Sequence, residues 1–449
     1  MKQIILLLLL STFCLIQVVK SQTKLNLEMC LDLLQSQNED IRQANINILL
    51  GKLEIKDTKN SYIPAVNFGV GNTYNLGLAF DEIAGQLITG NKWFNSVSAN
   101  VSTRAIVFQG FTLKTKLQLS LIELESIELQ KNNLEQSLKL ELLSKFYEAV
   151  ANKALYEMNI KQTQFAQEQL NLERTKFELE TNTLVDLSLA ESQLANSELS
   201  TVLSKTSYVS CLLELKQLLG IPLSDSIEIE IPSIKRSMFD ITLLDIKEWI
   251  FDDPTSKIAE LSVKQSELNL RYAKGAYYPT VSLFGGYGTN YSSERKDYIT
   301  GADMPFFSQF YQNRSMNFGI SVNVPIFDSF KTKNNITRMK LELEKRQSEL
   351  NKTKVNREKI IILANQQYHK SVKEYQVLQT QSSSLEKNYY AMQKRYAIGV
   401  ATAMEYNKSL LDYNIAEANV IKSRYNLMYN YEMIRVLIGQ DLLSRDTVL

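Results

Sequence analysis

The sequence predicts a mainly α-helical chain in which two long helical hairpins alternate with two pairs of β-strands. Three observations lead to this fold class. The segment Phe111 to Leu219 contains neither glycine nor proline, the segment Ile326 to Leu449 contains no proline, and two pairs of shorter segments alternate apolar with polar residues. Glycine and proline are the residues that most readily end a helix, whereas alternation is typical of strands.

The first long segment is predicted to form a helix, a turn and a returning helix. Apolar side chains recur every three or four positions along it, which gives each helix one apolar side. Residues 178–183 are the predicted turn, because Thr181-Asn182-Thr183 are weak helix formers and Thr183 is a favourable N-cap. The long helix is predicted at about 109–180, and its length from Phe111 to Glu180 would be roughly 105 Å at ~1.5 Å per residue. The return helix would cover about 184–219.

Shorter elements precede this hairpin. Helices are predicted at Leu25–Leu34 and Glu39–Asn60, where apolar residues follow helical spacing. A strand over about 62–76 follows, in which apolar residues alternate with small or polar ones. After a polar, glycine-containing loop, residues 93–107 alternate in the same way and form the second predicted strand.

The same order of elements recurs in the second half of the chain. The strand entry Tyr62-Ile63-Pro64 recurs as Tyr277-Tyr278-Pro279, and the helix entry Phe108-Gln109-Gly110-Phe111 recurs as Phe327-Asp328-Ser329-Phe330. Such self-similarity indicates an internal duplication. The second half is therefore predicted to contain strands at about 279–291 and 315–326, a long helix at about 328–398 and a return helix at about 403–438. The predicted organisation is a signal peptide at 1–21, a first repeat at 22–223, a linker at 224–240 with a short strand near Ile227–Ile231, a second repeat at 241–443 and a tail at 444–449.

The first residues are typical of a secretory signal peptide. Met1-Lys2 precedes the apolar segment Ile4–Val19, and Val19-Lys20-Ser21 offers small-residue cleavage before Gln22. An uncleaved membrane anchor is the alternative, but this segment is interrupted by polar residues and is shorter than the ~20 apolar residues needed to span a bilayer. Export with cleavage is therefore predicted.

Composition gives no support to an enzyme or a nucleic-acid-binding protein. The net charge of +1 provides no general attraction for a polyanion. Cys30 and Cys211 are the cysteines of the predicted mature chain, which is too few for a disulfide framework, and each is predicted to be buried. The single histidine, His369, lies in a helical stretch without a catalytic motif, and Gly285-Gly286-Tyr287-Gly288 lies within a strand. No catalytic, cofactor-binding or metal site is predicted.

The strands fit the wall of an outer-membrane β-barrel, whose strands alternate between a lipid-facing and a lumen-facing side. A soluble sheet packed on a helical stalk is the alternative for any one strand. Four strands cannot close a barrel, and open strand edges are not tolerated in lipid. Several copies of the chain would therefore share one barrel. Aromatic residues form two candidate girdles, with Tyr62, Tyr277, Tyr278, Phe108, Phe111, Phe327 and Phe330 near the helices and Tyr74, Trp93, Phe94, Tyr287 and Tyr291 toward the loops.

The chain resembles the TolC-type outer-membrane efflux proteins, the outer membrane factor family. The resemblance rests on the duplicated unit, the Tyr277-Tyr278-Pro279 strand entry, Val324-Pro325-Ile326-Phe327-Asp328 and Lys394-Arg395-Tyr396-Ala397-Ile398-Gly399. It implies a homotrimer in the outer membrane of a Gram-negative bacterium, with four strands per protomer in a shared twelve-stranded barrel that continues into a helical periplasmic tunnel. It also implies a passive duct for small molecules or proteins, served by a periplasmic adaptor (membrane fusion) protein and an inner-membrane efflux pump, in a tripartite efflux or type I secretion system.

The resemblance further implies a gate at the two hairpin turns. By count, Tyr396 and Asp186 match a tyrosine and an aspartate that contact each other in the family, and Ala401 stands where an arginine adds a second contact. Glu405 matches one acidic entrance position, while Lys408 replaces the next acid, so weaker block by multivalent cations is predicted. The alternative is that Tyr396 packs between helices and Asp186 caps a helix or contacts solvent. The predicted gate comprises Tyr396, Asp186, Gly399, Val400, Ala401, Thr402, Thr181, Asn182 and Thr183.

A second class of function stays open at this point. A secreted or surface coiled-coil scaffold without channel activity would explain the long helices. It would leave unexplained the paired strands at matching places of both repeats. A requirement for detergent would separate the channel from the scaffold.

Overall fold

The computed structural model describes residues 23–232, 253–297 and 299–439. The predicted signal peptide, Gln22 and the tail at 444–449 lie outside the described residues, as does residue 233 onward of the predicted linker. The chain divides into two compact units. The first contains the described residues within Met1–Asn45, Leu129–Lys257 and Thr353–Leu449, and the second is Ile46–Glu128 with Ile258–Lys352. Each unit draws residues from both halves of the sequence, so neither unit corresponds to one predicted repeat.

The elements follow the predicted alternation of strands and helices. In chain order they are β1 (Thr23–Leu25), α1 (Leu27–Gln37), α2 (Glu39–Asn60), β2 (Ala65–Leu76), β3 (Ala79–Asp81), β4 (Gln86–Ile88), β5 (Trp93–Gln109), α3 (Thr112–Glu178), α4 (Leu184–Leu219), β6 (Ile227–Ile229), α5 (Pro254–Lys274), a 3-10 turn (Gly275–Tyr277), β7 (Thr280–Ser292), α6 (Phe306–Gln312), β8 (Ser315–Asn323), α7 (Lys331–Ala397) and α8 (Ala403–Leu437).

The four long helices occupy the segments that are poor in glycine and proline. Helices α3 and α7 contain 67 residues each, and the returning helices α4 and α8 contain 36 and 35. Helix α4 ends at Gly220, whose left-handed backbone (φ 68°) closes the helix. The mainly α-helical fold class with long hairpins, predicted from the sequence, is therefore confirmed.

The core of the first unit lies along the predicted apolar side of α3. Leu142, Phe146 and Val150 are buried there against Leu215 and Leu219 of α4. Strands β1 and β6 pair in parallel beside this core, in register from Thr23 opposite Ile227 to Leu25 opposite Ile229. The predicted helix at Leu25–Leu34 therefore begins two residues later, after Asn26, which caps α1 by accepting a hydrogen bond from the Met29 amide.

The second unit contains one antiparallel sheet with the strand order β2-β5-β7-β8. Paired residues lie on the same face of a sheet. One face carries the apolar cross-strand row Phe68, Val101, Tyr287 and Met316, and the other carries the small polar row Asn67, Ser102, Gly286 and Asn317. The alternation in the sequence therefore becomes one apolar and one polar face.

Both junctions from the sheet into a long helix use two consecutive residues with positive φ. These are Gly110 and Phe111 before α3, at 54° and 60°, and Ser329 and Phe330 before α7, at 56° and 64°. In the first junction a side chain at Gly110 would place its Cβ 2.2 Å from the Gly275 carbonyl oxygen. Glycine is therefore required at residue 110 by close backbone approach.

The loops beyond the sheet contain structure that the sequence did not predict. Strands β3 and β4 form a short hairpin in the loop predicted between β2 and β5, and helix α6 lies in the loop between β7 and β8. The hairpin is held by Asp81, which is buried and hydrogen-bonds to Ser292. Both elements are too short to produce a recognisable period in the sequence.

Candidate gate at the hairpin turns

The two hairpin turns of the first unit have the same backbone conformation and the same backbone hydrogen bond. Helix α3 ends before Glu180, which has a left-handed backbone (φ 56°), and the Thr181 amide donates to the Lys176 carbonyl at 2.9 Å. Helix α7 ends before Gly399 (φ 76°), and the Val400 amide donates in the same way at 2.9 Å. The chain thus reverses twice through an equivalent left-handed residue.

A reciprocal capping box begins each returning helix. In α4 the Asp186 carboxylate accepts from the Thr183 amide at 3.2 Å and from its hydroxyl at 2.5 Å. In α8 the Glu405 carboxylate accepts from the Thr402 amide at 2.9 Å and from its hydroxyl at 3.0 Å. The Thr402 amide and hydroxyl, helped by the charge of Arg395, lower the pKa of Glu405 below its ordinary value. Both predicted carboxylates therefore serve as helix caps.

Tyr396 on α7 contacts the end of the other hairpin. Its hydroxyl interacts with the side chains of Asn182 and Glu173, and burial raises its pKa to about 12, helped by the negative charge of Glu173. Lys176 lies 5.0 Å from the centre of the Tyr396 ring and 2.9 Å from a Glu173 carboxylate oxygen. Glu173 is buried and also accepts a short hydrogen bond from the Asn182 side chain. Tyr396 thus contacts α3 and its turn beside the partly buried ion pair of Lys176 and Glu173.

Four stacked tyrosines extend this contact along α7 and α8. The ring of Tyr406 lies 5.2 Å from that of Tyr396 and 5.9 Å from that of Tyr389, which in turn lies 5.6 Å from Tyr413. Burial raises the pKa of Tyr406 and brings that of Tyr413 to about 12. Sequence reasoning missed this cluster. The signal was present, because each helix carries two tyrosines two turns apart, which places them on one face.

Tyr396 and Asp186 line the same small cavity, together with Glu173 and Tyr406. Its volume of about 30 Å³ has room for roughly one or two water molecules. The pair that the family resemblance selects is therefore brought to one place. Asp186 adds its negative charge to those that raise the pKa of Tyr396, while its carboxylate is engaged by Thr183.

The remaining predicted residues surround these contacts. Thr181 and Asn182 are bound to α3, the former through its hydroxyl on the Lys176 carbonyl at 2.9 Å. Ala401 is buried, whereas the residues at the open surface of the turn are Val400, Thr402, Glu405 and Lys408. Within the described ranges, no group of three or more acidic, histidine or cysteine side chains could hold a metal ion. His369 is exposed on α7 beside Tyr368.

None of the helices in the described part of the chain combines the length and apolar character needed to cross a membrane. A family model for outer membrane efflux proteins matches residues 30–221 and 253–440, which is most of the chain. The chain belongs to the outer membrane efflux protein family. The TolC-type resemblance, the outer-membrane location and the function as an efflux channel are thereby confirmed, and the coiled-coil scaffold gains no support.

Solved structures share the fold of this efflux protein at low sequence identity. CusC is 13% identical, with a TM-score of 0.77 over 95% of this chain and 96% of its own. The CmeC outer membrane channel of Campylobacter jejuni is 16% identical, with a TM-score of 0.78 over 92% and 85%. The MtrE outer membrane channel of Neisseria gonorrhoeae is 16% identical, with a TM-score of 0.74 over 92% and 89%. A comparison with curated protein sequences gave no significant match.

Proposed function

We propose that three copies of this efflux protein form one passive channel, in which each chain supplies four strands to a closed barrel and two helical hairpins to a periplasmic tunnel. The observation that carries the proposal is the open sheet. Among the described residues, β2 pairs only with β5 and β8 pairs only with β7. Unpaired strand edges are not tolerated in lipid, so the edges of neighbouring copies must pair. Three copies would give the twelve strands that the family resemblance implies.

The two faces of the sheet support a lipid side and a lumen side. The apolar face is exposed in the single chain, with Phe318 at 82% and Phe68 at 71%. Large apolar patches of this kind mark surfaces that are covered in the functional assembly. The polar face carries small side chains such as Asn67, Ser102 and Asn317, which suit a water-filled passage.

The two turns support a gate and a docking site at the periplasmic end. The contact of Tyr396 with Asn182 and Glu173 ties the second hairpin to the first, which would hold the entrance closed. Both turns expose apolar residues, which suit the binding of a periplasmic adaptor protein that links the channel to an inner-membrane pump. These residues are Leu179, Leu184, Val185, Ile398, Val400 and Met404. Transport energy would then come from the pump, and the channel itself would be a duct.

A matched pair of charge substitutions tests the barrel. Ile320 lies on the apolar face of β8, opposite Leu283, and Ser321 lies on the polar face, opposite Ser282. We expect Ile320→Lys to prevent assembly, because a lysine on the lipid side costs roughly 2–4 kcal/mol near the middle of the bilayer. Ser321→Lys should leave assembly intact. Native mass measurement in detergent should show three copies for both the wild type and Ser321→Lys. Both proteins should also give single-channel conductance in planar bilayers. A detergent-free monomer, or equal tolerance of both lysines, would overturn the proposal.

A further inference from the structure

Helix α6 presents aromatic residues on two neighbouring sides, and the ring of Phe307 on one side lies 5.4 Å from the ring of Phe306 on the other. On one side the ring of Phe306 stacks on Phe310 at 4.5 Å and lies 4.9 Å from the ring of Tyr291 on β7. On the other side Phe307 and Tyr311, one helical turn apart, are 84% and 68% exposed. An exposed aromatic pair beside a packed one needs a partner, and the described residues of one chain do not supply it.

The helix lies on the apolar face of the sheet. Thr289 and Tyr291 share that face, because they lie opposite Ala99 and Val97 of β5. The Thr289 hydroxyl donates to the Phe310 carbonyl at 2.7 Å, and Tyr291 contacts Phe306. Helix α6 therefore covers the loop end of the face proposed to meet lipid.

A buried glutamine holds α6 in place. The Gln309 side chain donates to the carbonyls of Ser292 and Met304 at 2.9 and 2.8 Å, and it accepts from the Ser292 amide at 2.9 Å. Asn313, just after the helix, donates to the Asn290 carbonyl at 2.8 Å. Both groups fix the helix to the end of β7, so the outward direction of Phe307 and Tyr311 is set by the fold.

The surroundings of the exposed pair have the composition of a membrane interface. Tyr74 and Trp93 are exposed on the same apolar face at the same end of the sheet. The Arg314 guanidinium lies 3.8 Å over the Tyr311 ring and donates to the Tyr311 carbonyl at 2.7 Å. Aromatic side chains with an apolar body and a polar rim concentrate where hydrocarbon meets headgroups, and long basic side chains extend toward the headgroups there.

We propose that α6 is an interfacial helix, which embeds Phe307 and Tyr311 in the outer surface of the lipid bilayer and keeps Arg314 at the polar edge. The proposal rests on the proposed function, since that function assigns the apolar face of the sheet to lipid. Lipid is favoured over a second copy of the chain because α6 packs on β7, an inner strand, whereas the proposed barrel joins neighbouring copies at the outer strands β2 and β8.

Nitroxide labels at single cysteines test this placement. In a background with Cys30→Ala and Cys211→Ala, one cysteine is introduced by Phe307→Cys, Tyr311→Cys, Ile299→Cys or Phe318→Cys. The labelled channel is reconstituted in phosphatidylcholine vesicles. Collision with oxygen, which concentrates in lipid, is then compared with collision with a water-soluble nickel chelate. Ile299 is the matched control, because it belongs to the same loop and is 92% exposed.

We expect residues 307 and 311 to collide several-fold more often with oxygen, relative to nickel, than residue 299 does. Residue 318 should give the highest ratio, because it lies on the middle of the proposed lipid face. A nickel-accessible label at 307 and 311 with a lipid-exposed label at 318 would overturn the interfacial helix alone. Immobilised labels at 307 and 311 that collide with neither reagent would assign this surface to a second copy. A nickel-accessible label at 318 would instead overturn the proposed barrel.

Discussion

Removal of one hydroxyl group from Tyr396 should loosen the proposed gate. Tyr396→Phe keeps the ring that stacks on Tyr406 and lies under Lys176, and it removes the interaction of the hydroxyl with Asn182 and Glu173. A hydrogen bond to a charged group contributes roughly 1.5–3 kcal/mol when buried. Tyr396 is half-buried, so about 1 kcal/mol per copy is a reasonable value. Three copies would give about 3 kcal/mol, or about a hundredfold in the ratio of closed to open channels.

Single-channel recording in planar bilayers measures this ratio directly. We expect Tyr396→Phe to raise the conductance and the open fraction. Glu173→Gln should do the same, and the double variant should add little because both changes break one contact. Asp186→Ala should also raise conductance, but through loss of the Thr183 cap, so its effect should add to that of Tyr396→Phe. Tyr390→Phe, which removes an exposed hydroxyl from the same helix, is the matched control. Unchanged conductance in Tyr396→Phe, with trimers intact, would refute the gate.

Three further predictions follow from local geometry. Gly110→Ala should destabilise the assembled channel by roughly 2–4 kcal/mol, since it adds a side chain to a left-handed residue and a clash with the Gly275 backbone. Ser329→Gly at the matching junction should be neutral or stabilising, and thermal unfolding in detergent compares the two variants. The Glu405 carboxylate, whose pKa is lowered, should stabilise the start of α8 at pH values above the ordinary carboxyl pKa of 4.5, and this stabilisation should be lost as the pH falls through the folded pKa. Hydrogen exchange of the first turn of α8 should show the loss, and Glu405→Gln should abolish the pH dependence. Burial raises the pKa of Cys30 to about 12, so an alkylating reagent at pH 8 should label Cys30 only after denaturation.

The sequence was sufficient for the long helices and the main strands because their signals extend over many residues. The absence of glycine and proline from Phe111 to Leu219 left one place for a turn, and Glu180 takes the left-handed conformation there. Strict alternation in 315–323 determined which residues of β8 lie on the apolar face. Patterns of this kind are set by local periodicity, which a single sequence displays.

Contacts between distant segments were not predictable in the same way. The parallel pair of β1 and β6 joins three residues near the N-terminus to three that lie far along the chain. The contact of Tyr396 with Glu173 was also not predicted, because a count of residues from the family pattern points to Asp186, which lines the same cavity. In the structure the Thr183 cap engages the Asp186 carboxylate, and Glu173, one turn before the end of α3, is the buried acid that reaches Tyr396. Thr183 and Tyr396 are alternative partners for the Asp186 carboxylate, and the spacing of residues in the sequence does not show which of them binds it.

The even number of strands in the sheet has a consequence for how such channels can vary. Since the direction of the strands alternates from β2 to β8, the two outer strands of one chain run in opposite directions. Any ring of identical chains then keeps strict alternation at every seam, whether it holds two, three or four of them. Strand direction alone therefore does not determine how many chains form the ring. A single added strand would bring two strands of like direction together at each seam, so barrels of this type should gain or lose strands in hairpins.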